Sequence, residues 1–212
     1  MKPNLIKSFN FEEIVKPAIG EIDKYQPGES EIDGEKKIIK LSSNESPFKI
    51  PINVIKKTKD FLQLSNLYPD SNSVKLKKTL AKTFNIKSKN IMCGNGSDDV
   101  LSVIAQTFST EGSEVICSEY GFTYYPIIAK ASGCKVITAN SEKLGVSCKN
   151  ILKKITKKTK IIFFANPNNP TGTIIFRDEL IEFLHKVPKN IIVVLDGAYS
   201  EFINDKRYWK QS

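Results

Sequence analysis

The sequence predicts an α/β protein with three layers, in which helices cover a mostly parallel central sheet. Short β-branched runs alternate with helical patterns along the chain, which is typical of a parallel sheet. Two of these runs, 161–165 and 191–195, contain no polar side chain, as expected of central strands that are covered on both faces. The 212 residues are 40% hydrophobic, which is enough to bury a sizeable core.

Each element follows from its own local pattern. In the segment 98–109, for example, an apolar stripe recurs at helical spacing; it comprises Val100, Leu101, Ile104, Ala105 and Phe108. Strands are predicted at 90–94, 114–118, 135–139, 160–165 and 190–196. Helices are predicted at 52–64, 73–85, 98–109, 122–132, 148–156 and 177–186. The polar, proline-punctuated residues 1–40 are expected to form an arm or linker, and residues 41–212 one domain.

Composition argues against several classes of protein. Charged residues interrupt every stretch that could span a bilayer, and the N-terminus lacks the apolar core of a signal peptide. The four cysteines are scattered without a CxxC pair, so reduced, mostly buried thiols are expected. The one histidine, His185, lies in a predicted helix. We therefore expect a cytoplasmic protein with no membrane partner, disulfide framework, metal site or cysteine nucleophile.

The net charge of +9 comes almost entirely from lysine, since Arg177 and Arg207 are the two arginines. Arginine is the side chain that forks onto phosphates and base edges, so its scarcity argues against nucleic-acid recognition. The lysines flank apolar positions at helical spacing, which indicates a solvated basic surface. We expect no nucleic-acid partner, although a modest attraction for small anions remains open.

The predicted strand at 90–94 runs into "GNGSDD", residues 94–99, which opens a helix. Glycines allow close backbone approach, Ser97 can cap the helix, and free N–H groups at a helix start suit a phosphate. Asp98 and Asp99 would repel a phosphate unless their carboxylates point away. An ordinary strand–turn–helix junction, with the acidic residues favouring the helix dipole, explains this stretch equally well.

Two more predicted strands end in polar residues at the edge where parallel sheets gather their chemistry. The strand at 191–195 ends at Asp196, whose carboxylate suits a cap, a turn or a cationic ring nitrogen, and Tyr199 follows. The strand at 161–165 ends in "NPNNPTG", where two prolines restrict a loop of three asparagines. A turn explains part of this pattern, but the density of amides exceeds what a turn needs.

A phosphate cradle, a carboxylate and a rigid amide are the contacts that a pyridoxal phosphate ring requires. "NPNNPTG", "GNGSDD", "YPD" at 68–70, "LSSNESPF" at 41–48 and "LDGAYSEF" at 195–202 occur in the order and spacing of fold-type-I aminotransferases. From about Tyr25 onward the chain most resembles the N-terminal portion of the histidinol-phosphate aminotransferases. The resemblance implies the large domain of that fold, incomplete at its C-terminus, with pyridoxal 5′-phosphate as cofactor.

The resemblance also implies a role for particular residues. Backbone N–H groups of Ser97 and Asp98 would bind the cofactor phosphate, and Phe122 would stack on the ring. Asn169, with a cis peptide before Pro170, and Tyr199 would bond the ring's phenolic oxygen, while Asp196 would pair with the pyridinium nitrogen. The remaining implied residues are Tyr68, which would reach the phosphate of the partner subunit in a homodimer, and Asn44 and Glu45, which would lie on the side of the small-molecule substrate.

In the family the catalytic residue is a lysine that forms a Schiff base with the cofactor, in a Ser-Lys motif after "DGAY". The printed sequence ends at Ser212 before such a motif, and neither Lys206 nor Lys210 follows a serine. We therefore expect the N-terminal part of an aminotransferase that moves an amino group between glutamate and imidazole-acetol phosphate, inactive as given. The alternatives are a related aminotransferase, a phosphothreonine-type decarboxylase, and a non-catalytic module, for which the 191–196 strand would be a bare edge.

Overall fold

A computed structural model describes residues 14–23, 33–34 and 38–209. The chain divides into two compact units. The first unit combines residues 1–23 with 79–212, and the second comprises residues 24–78. The predicted arm at 1–40 lies mostly outside the described residues, so its extent stays a prediction.

The first unit is built on a four-stranded parallel sheet of order β2-β1-β3-β4. Its strands are β1 (Glu114–Ser118), β2 (Lys135–Ala139), β3 (Thr159–Ala165) and β4 (Ile192–Asp196). β1 and β2 have the bounds that the sequence predicts, and β3 and β4 begin within two residues of theirs. In register, Phe163 of β3 lies between Cys117 of β1 and Val194 of β4.

The helices, too, follow the predicted pattern. They are α1 (Pro17–Gly20), α2 (Ile52–Leu62), α3 (Val74–Thr83), α4 (Ser97–Phe108), α5 (Tyr124–Ala131), α6 (Cys148–Lys154) and α7 (Arg177–Lys186). Short 3-10 helices lie at Ser88–Asn90 and Ser200–Phe202. α2, α3 and α7 therefore confirm the predicted helices at 52–64, 73–85 and 177–186 to within two residues.

Helices cover both faces of the sheet, and each face has its own hydrophobic cluster. α4 and α5 pack on one face against Ile161 and Phe163, and α6 and α7 pack on the other against Ile162 and Phe164. Alternation along β3 therefore sends successive side chains into different clusters. β3 is an apolar strand covered on both sides, which confirms the three-layer α/β prediction.

Three expectations need correction. Residues 90–94 form no strand: Asn90 ends a 3-10 turn, and the extended segment after it pairs with no strand among the described residues. β4 is half-buried and pairs only with β3 within the described part of the chain, so it is an edge strand rather than a central one. In α4, Leu101 and Ala105 are buried, but Phe108, in the last turn, is 48% exposed.

The second unit contains α2 and the start of α3, and neither helix buries a residue. α2 is amphipathic, but its apolar side chains are exposed, Ile52 and Phe61 each to more than 60%. Packing of an apolar face supplies most of a helix's stability in a folded protein. α2 therefore lacks the main source of stability that the helices around the sheet share.

Within the described ranges, no helix is both long enough and apolar enough to cross a membrane. All four cysteines are free thiols. Cys117, Cys134 and Cys148 are buried and Cys93 is half-buried, which confirms the expectation for these side chains.

Candidate functional site

Asp196 ends β4, at the carboxyl edge of the sheet, and it is held by two hydrogen-bond donors. The Tyr125 hydroxyl donates to Asp196 Oδ2 over 2.8 Å, and the Ala198 N–H donates to Asp196 Oδ1 over 3.0 Å. The bond from Ala198 forms the backbone-linked turn that the sequence left open for this carboxylate. Since an ionised carboxylate has about four lone-pair sites, two donors leave it able to accept another.

Tyr125 of α5 is fully buried and contacts Asp196, Phe163 and Phe122. Its ring stacks on Phe163 of β3, with centroids 5.4 Å apart and planes 11° apart. Burial first, and then the charge and hydrogen bond of Asp196, raise the pKa of the Tyr125 hydroxyl far above its usual range. The negative charge of Asp98, at the start of α4, acts in the same direction. The hydroxyl is therefore a permanent donor at any physiological pH.

Phe122 precedes α5 and packs on the same tyrosine. Its ring meets that of Tyr125 edge to face, with centroids 5.5 Å apart and planes 90° apart, and it also contacts Tyr124 at 6.0 Å. The side chain is half-buried, so part of its surface stays accessible. Phe122 and Asp196 therefore both contact Tyr125.

The "GNGSDD" turn begins α4 without a side-chain cap. The N-cap residue is Gly96, at φ 85°, and Ser97 is the first helical residue, so the expectation that Ser97 caps the helix is wrong. The Asp99 carboxylate turns back and accepts the Asn95 N–H at Oδ2, 2.9 Å away. It therefore binds the turn that precedes the first helical N–H groups, which lack helical partners.

The "NPNNPTG" loop is fixed by buried amides. Asn166 donates from Nδ2 to the Ile175 carbonyl over 3.0 Å and accepts the Ile175 N–H at Oδ1 over 2.9 Å. Asn168 donates from Nδ2 to the Tyr120 carbonyl over 2.7 Å. The hydroxyl of the buried Tyr208 donates to the Asn166 carbonyl and so ties residues near the end of the described chain to this loop.

Asn169 differs from the other two asparagines. It is half-buried, and within the described part of the chain its side chain makes no hydrogen bond. The Asn169–Pro170 peptide is cis, as the resemblance implies, and the Asn166–Pro167 peptide is cis as well. The loop therefore uses two amides for its own structure and leaves the third available.

The other predicted residues are placed as follows. Tyr199 is half-buried in the turn between β4 and the last 3-10 helix. Asn44, Glu45 and Tyr68 belong to the second unit and are exposed; Glu45 lies 3.6 Å from Lys40 Nζ, and Tyr68 is fully exposed. The roles proposed for these four residues stay predictions.

Sequence reasoning missed Tyr125, although a signal was present. Tyr125, Ile128 and Ala129 form the buried face of α5. A buried tyrosine on an apolar helix face needs a partner for its hydroxyl. Asp196 was a suitable acceptor, because the sequence left the hydrogen-bond partner of its carboxylate open. Tyr208 carried a weaker signal, because nothing in the local pattern around it indicates burial.

These features suit a phosphorylated pyridine. The helix start without a side-chain cap can accept a phosphate, the Asp196 carboxylate can accept a protonated ring nitrogen, and Phe122 offers an apolar face. Asp196 is half-buried, and none of the fully buried side chains described at this edge carries a charge. The site therefore suits a ligand of the pyridoxal phosphate type.

Comparison with known proteins agrees with this class. The family model "Aminotransferase class I and II" matches residues 36–211, and the chain belongs to this family of pyridoxal-phosphate-dependent transferases. The histidinol-phosphate aminotransferase of Pelagibacter ubique is 42% identical over 187 residues, 88% of this chain and 52% of that protein. Histidinol-phosphate aminotransferase 1 of Mannheimia succiniciproducens is 46% identical over 169 residues, 80% of this chain and 46% of that protein.

Solved structures show the same fold. The Sinorhizobium meliloti histidinol-phosphate aminotransferase in complex with pyridoxal-5′-phosphate has a TM-score of 0.75 at 23% identity, over 78% of this chain and 45% of that one. The Thermus thermophilus aspartate aminotransferase with maleate has a TM-score of 0.73 at 19% identity, over 81% of this chain and 48% of that one. This chain thus has the large-domain fold of fold-type-I aminotransferases and spans about half the length of the curated relatives it matches.

Proposed function

We propose that this chain supplies the cofactor-binding part of a histidinol-phosphate aminotransferase. The reaction would move an amino group between glutamate and imidazole-acetol phosphate in histidine biosynthesis, in the cytoplasm. This substrate pair is supported by two relatives, 42% and 46% identical to this chain, that are named histidinol-phosphate aminotransferase. The chain spans about half the length of each relative. The proposed reaction of the whole protein therefore rests on the relatives' names, whereas the proposed cofactor site rests on the positions of this chain's own residues.

The observation that carries the proposal is the Asp196 carboxylate with its two donors at the carboxyl edge of a parallel sheet. An acidic group at this place would hold a pyridine nitrogen in its protonated form. The bound cofactor would then supply the electron sink that stabilises negative charge on the substrate carbon. The part played by Asp196 is to hold that proton on the ring nitrogen.

The other residues of the first unit would bind and orient. The N–H groups of Ser97 and Asp98 would take the phosphate, aided by the positive end of the α4 dipole. Phe122 would cover one face of the ring, and Asn169 and Tyr199 would hold its phenolic oxygen. The Asn169 amide suits this role because its loop is already fixed by Asn166 and Asn168, so little entropy is lost on binding.

The second unit would contribute from the substrate side. Asn44 and Glu45 would face the small-molecule substrate, and Tyr68 would reach the phosphate held by the partner subunit of a homodimer. The full exposure of Tyr68 in the single chain is compatible with such a role. The covalent lysine of the family has no counterpart that we assign among the described residues.

A chimera tests the function directly. Residues 1–212 would be fused to the remaining C-terminal part of the Pelagibacter ubique relative and expressed in a bacterium that lacks its own histidinol-phosphate aminotransferase. We expect growth without histidine, and loss of growth on Asp196→Asn, because the amide carries no charge to hold a protonated ring nitrogen. Asp205→Asn, which alters a half-buried aspartate bonded to Arg207, is the matched control and should grow. Growth of the Asp196→Asn chimera at the unaltered rate would contradict the proposal.

A further inference from the structure

One buried hydroxyl connects three parts of the candidate site. The Tyr125 side chain donates to Asp196 Oδ2 over 2.8 Å, meets the Phe122 ring edge to face and stacks on Phe163. The residue is 0% exposed. Neither the comparisons nor the sequence motifs assign it a role.

The packing leaves the hydroxyl little freedom. Because its ring packs against both Phe122 and Phe163, the phenol cannot swing away without opening the core cluster beside the sheet. Its oxygen therefore stays beside the Asp196 carboxylate, whose other oxygen is bonded to the Ala198 N–H. A carboxylate with a fixed donor on each oxygen is held in one rotamer before any ligand arrives.

The negative charges around the Tyr125 hydroxyl keep it protonated, so that it can donate to Asp196. Asp98 and Asp196 are the acidic groups that act on the phenol, and Cys117 of β1 lies in the same electrostatic environment. Losing the phenolic proton would add a further negative charge to this group, so the hydroxyl stays neutral. A neutral donor stabilises a neighbouring carboxylate without cancelling its charge, whereas a lysine or arginine would compete with a cationic ligand.

We propose that Tyr125 is a positioning residue, which holds the Asp196 carboxylate oriented for a protonated ring nitrogen and supports Phe122 against the same ring. This proposal rests on the proposed cofactor site and deepens it. Tyr125 itself does not touch the ligand; it acts through Asp196 and Phe122. A residue that merely fills the core would contribute to stability alone.

Comparing the binding of two ligands distinguishes a positioning role of Tyr125 from a role in core packing alone. Pyridoxine 5′-phosphate has the ring nitrogen and phosphate but no aldehyde to react with surface lysines, and benzyl phosphate has the phosphate and an aromatic ring without nitrogen. Tyr125→Phe keeps the ring and removes the hydroxyl. We expect it to weaken pyridoxine 5′-phosphate binding about tenfold, the effect of one hydrogen bond to a charged group, and to leave benzyl phosphate binding unchanged. Equilibrium dialysis of the complete chain measures both.

Tyr124→Phe is the matched control. It removes a hydroxyl from the next residue of the same helix, where the partner is the Ser102 hydroxyl 2.8 Å away. Both ligands should bind this variant as they bind the unaltered chain. Equal weakening of both ligands by Tyr125→Phe, or no weakening of either, would overturn the positioning role.

A double-mutant cycle without ligand keeps the test independent of cofactor binding. Denaturant unfolding of the unaltered chain, Tyr125→Phe, Asp196→Ala and the double variant yields the coupling between the two side chains. We expect a coupling of about tenfold in the unfolding equilibrium constant. A coupling indistinguishable from none would refute the bond on which the proposal depends. Failure of the unaltered chain to bind pyridoxine 5′-phosphate would instead count against the proposed function, and the cycle would still test the bond between Tyr125 and Asp196.

Discussion

The cysteines show how burial controls the chemistry of a single residue. Burial raises the pKa of Cys117, in β1, to about 12, and it is the main cause of the same rise in pKa at Cys148. At Cys148 the nearby Glu179 adds to the effect. Since the thiolate is the reactive form, these two side chains act as small apolar residues at physiological pH.

Alkylation should therefore distinguish the half-buried thiol from the buried ones. At about pH 8 we expect iodoacetamide to modify Cys93 first and to modify Cys117, Cys134 and Cys148 at least about a hundredfold more slowly. Peptide mapping by mass spectrometry measures each rate. In denaturing guanidinium, which serves as the control, all four should react alike. Rapid modification of Cys117 in the native chain would contradict its burial.

The turn before α4 is an element whose geometry depends on the absence of a side chain. A Cβ added at Gly94 would lie 2.8 Å from Val100 Cγ2 and 2.9 Å from Asp99 Oδ2. The second contact matters for function, because Asp99 uses that oxygen to hold the Asn95 N–H. The glycine therefore keeps an acidic side chain bound to the turn at the helix start where a phosphate would bind.

Gly94→Ala should destabilise the chain and disturb this helix start. We expect a loss of about 1–3 kcal/mol in the free energy of unfolding, typical of overpacking, together with weaker binding of benzyl phosphate. Denaturant titration measures the first effect and equilibrium dialysis the second. Gly20→Ala, in α1, is the control: a Cβ there meets nothing within 4 Å, so stability should be unchanged or slightly higher. Equal stability of the two variants would show that the turn can relax around the methyl group.

At the scale of the whole molecule, the two units differ in what stabilises them. β3 lies inside a sheet whose helices form a cluster on each face, whereas α2 has no buried residue. Amide hydrogens are protected when opening them requires the loss of buried contacts. Stability should therefore be distributed unevenly along the chain.

Hydrogen–deuterium exchange should show this difference. We expect the amides of β3 to exchange at least about a thousandfold more slowly than those of α2. Mass spectrometry of peptic fragments measures both segments in one sample. α7, which buries Leu180 and Phe183 and exposes its other residues, provides an internal control with intermediate protection. Equal protection of α2 and β3 would show that α2 is covered in solution.

A second prediction at this scale concerns covalent chemistry. In the resembled family, the lysine that bonds to the cofactor lies in a Ser-Lys motif after "DGAY", and no such motif occurs in the printed sequence. On addition of pyridoxal phosphate, dialysis and borohydride reduction, we expect no single lysine to be labelled. Peptide mapping measures the label, with excess pyridoxine 5′-phosphate as the competitor control. Competitor-sensitive labelling of one lysine would contradict this expectation.

Much of the first unit could be predicted because its information is local. β1 and β2 follow from short β-branched runs, and α7 follows from apolar residues at helical spacing. The segment 90–94 has the same local pattern, yet a strand also needs a neighbour, and pairing is not written in the segment itself. For this reason the prediction of a strand there is wrong.

The site divides in the same way. Asp196 and the "NPNNPTG" loop could be predicted because polar residues that follow apolar strands are visible in the sequence. The partners of these groups could not be, since Tyr125 and Tyr208 reach Asp196 and Asn166 from distant parts of the chain. The direction of the Asp99 side chain likewise depends on the backbone geometry of the turn.

The bond between Tyr125 and Asp196 joins residues 71 positions apart, and this has a consequence for the order of folding. Asp196 reaches its partner only after β4 has paired with β3, which itself pairs with β1. Contacts that close long loops form late and slow a parallel sheet. The hydrogen bond between Tyr125 and Asp196 should therefore be among the last contacts of the unit to form. In a nascent chain, the turn before α4 should be in place earlier than this carboxylate.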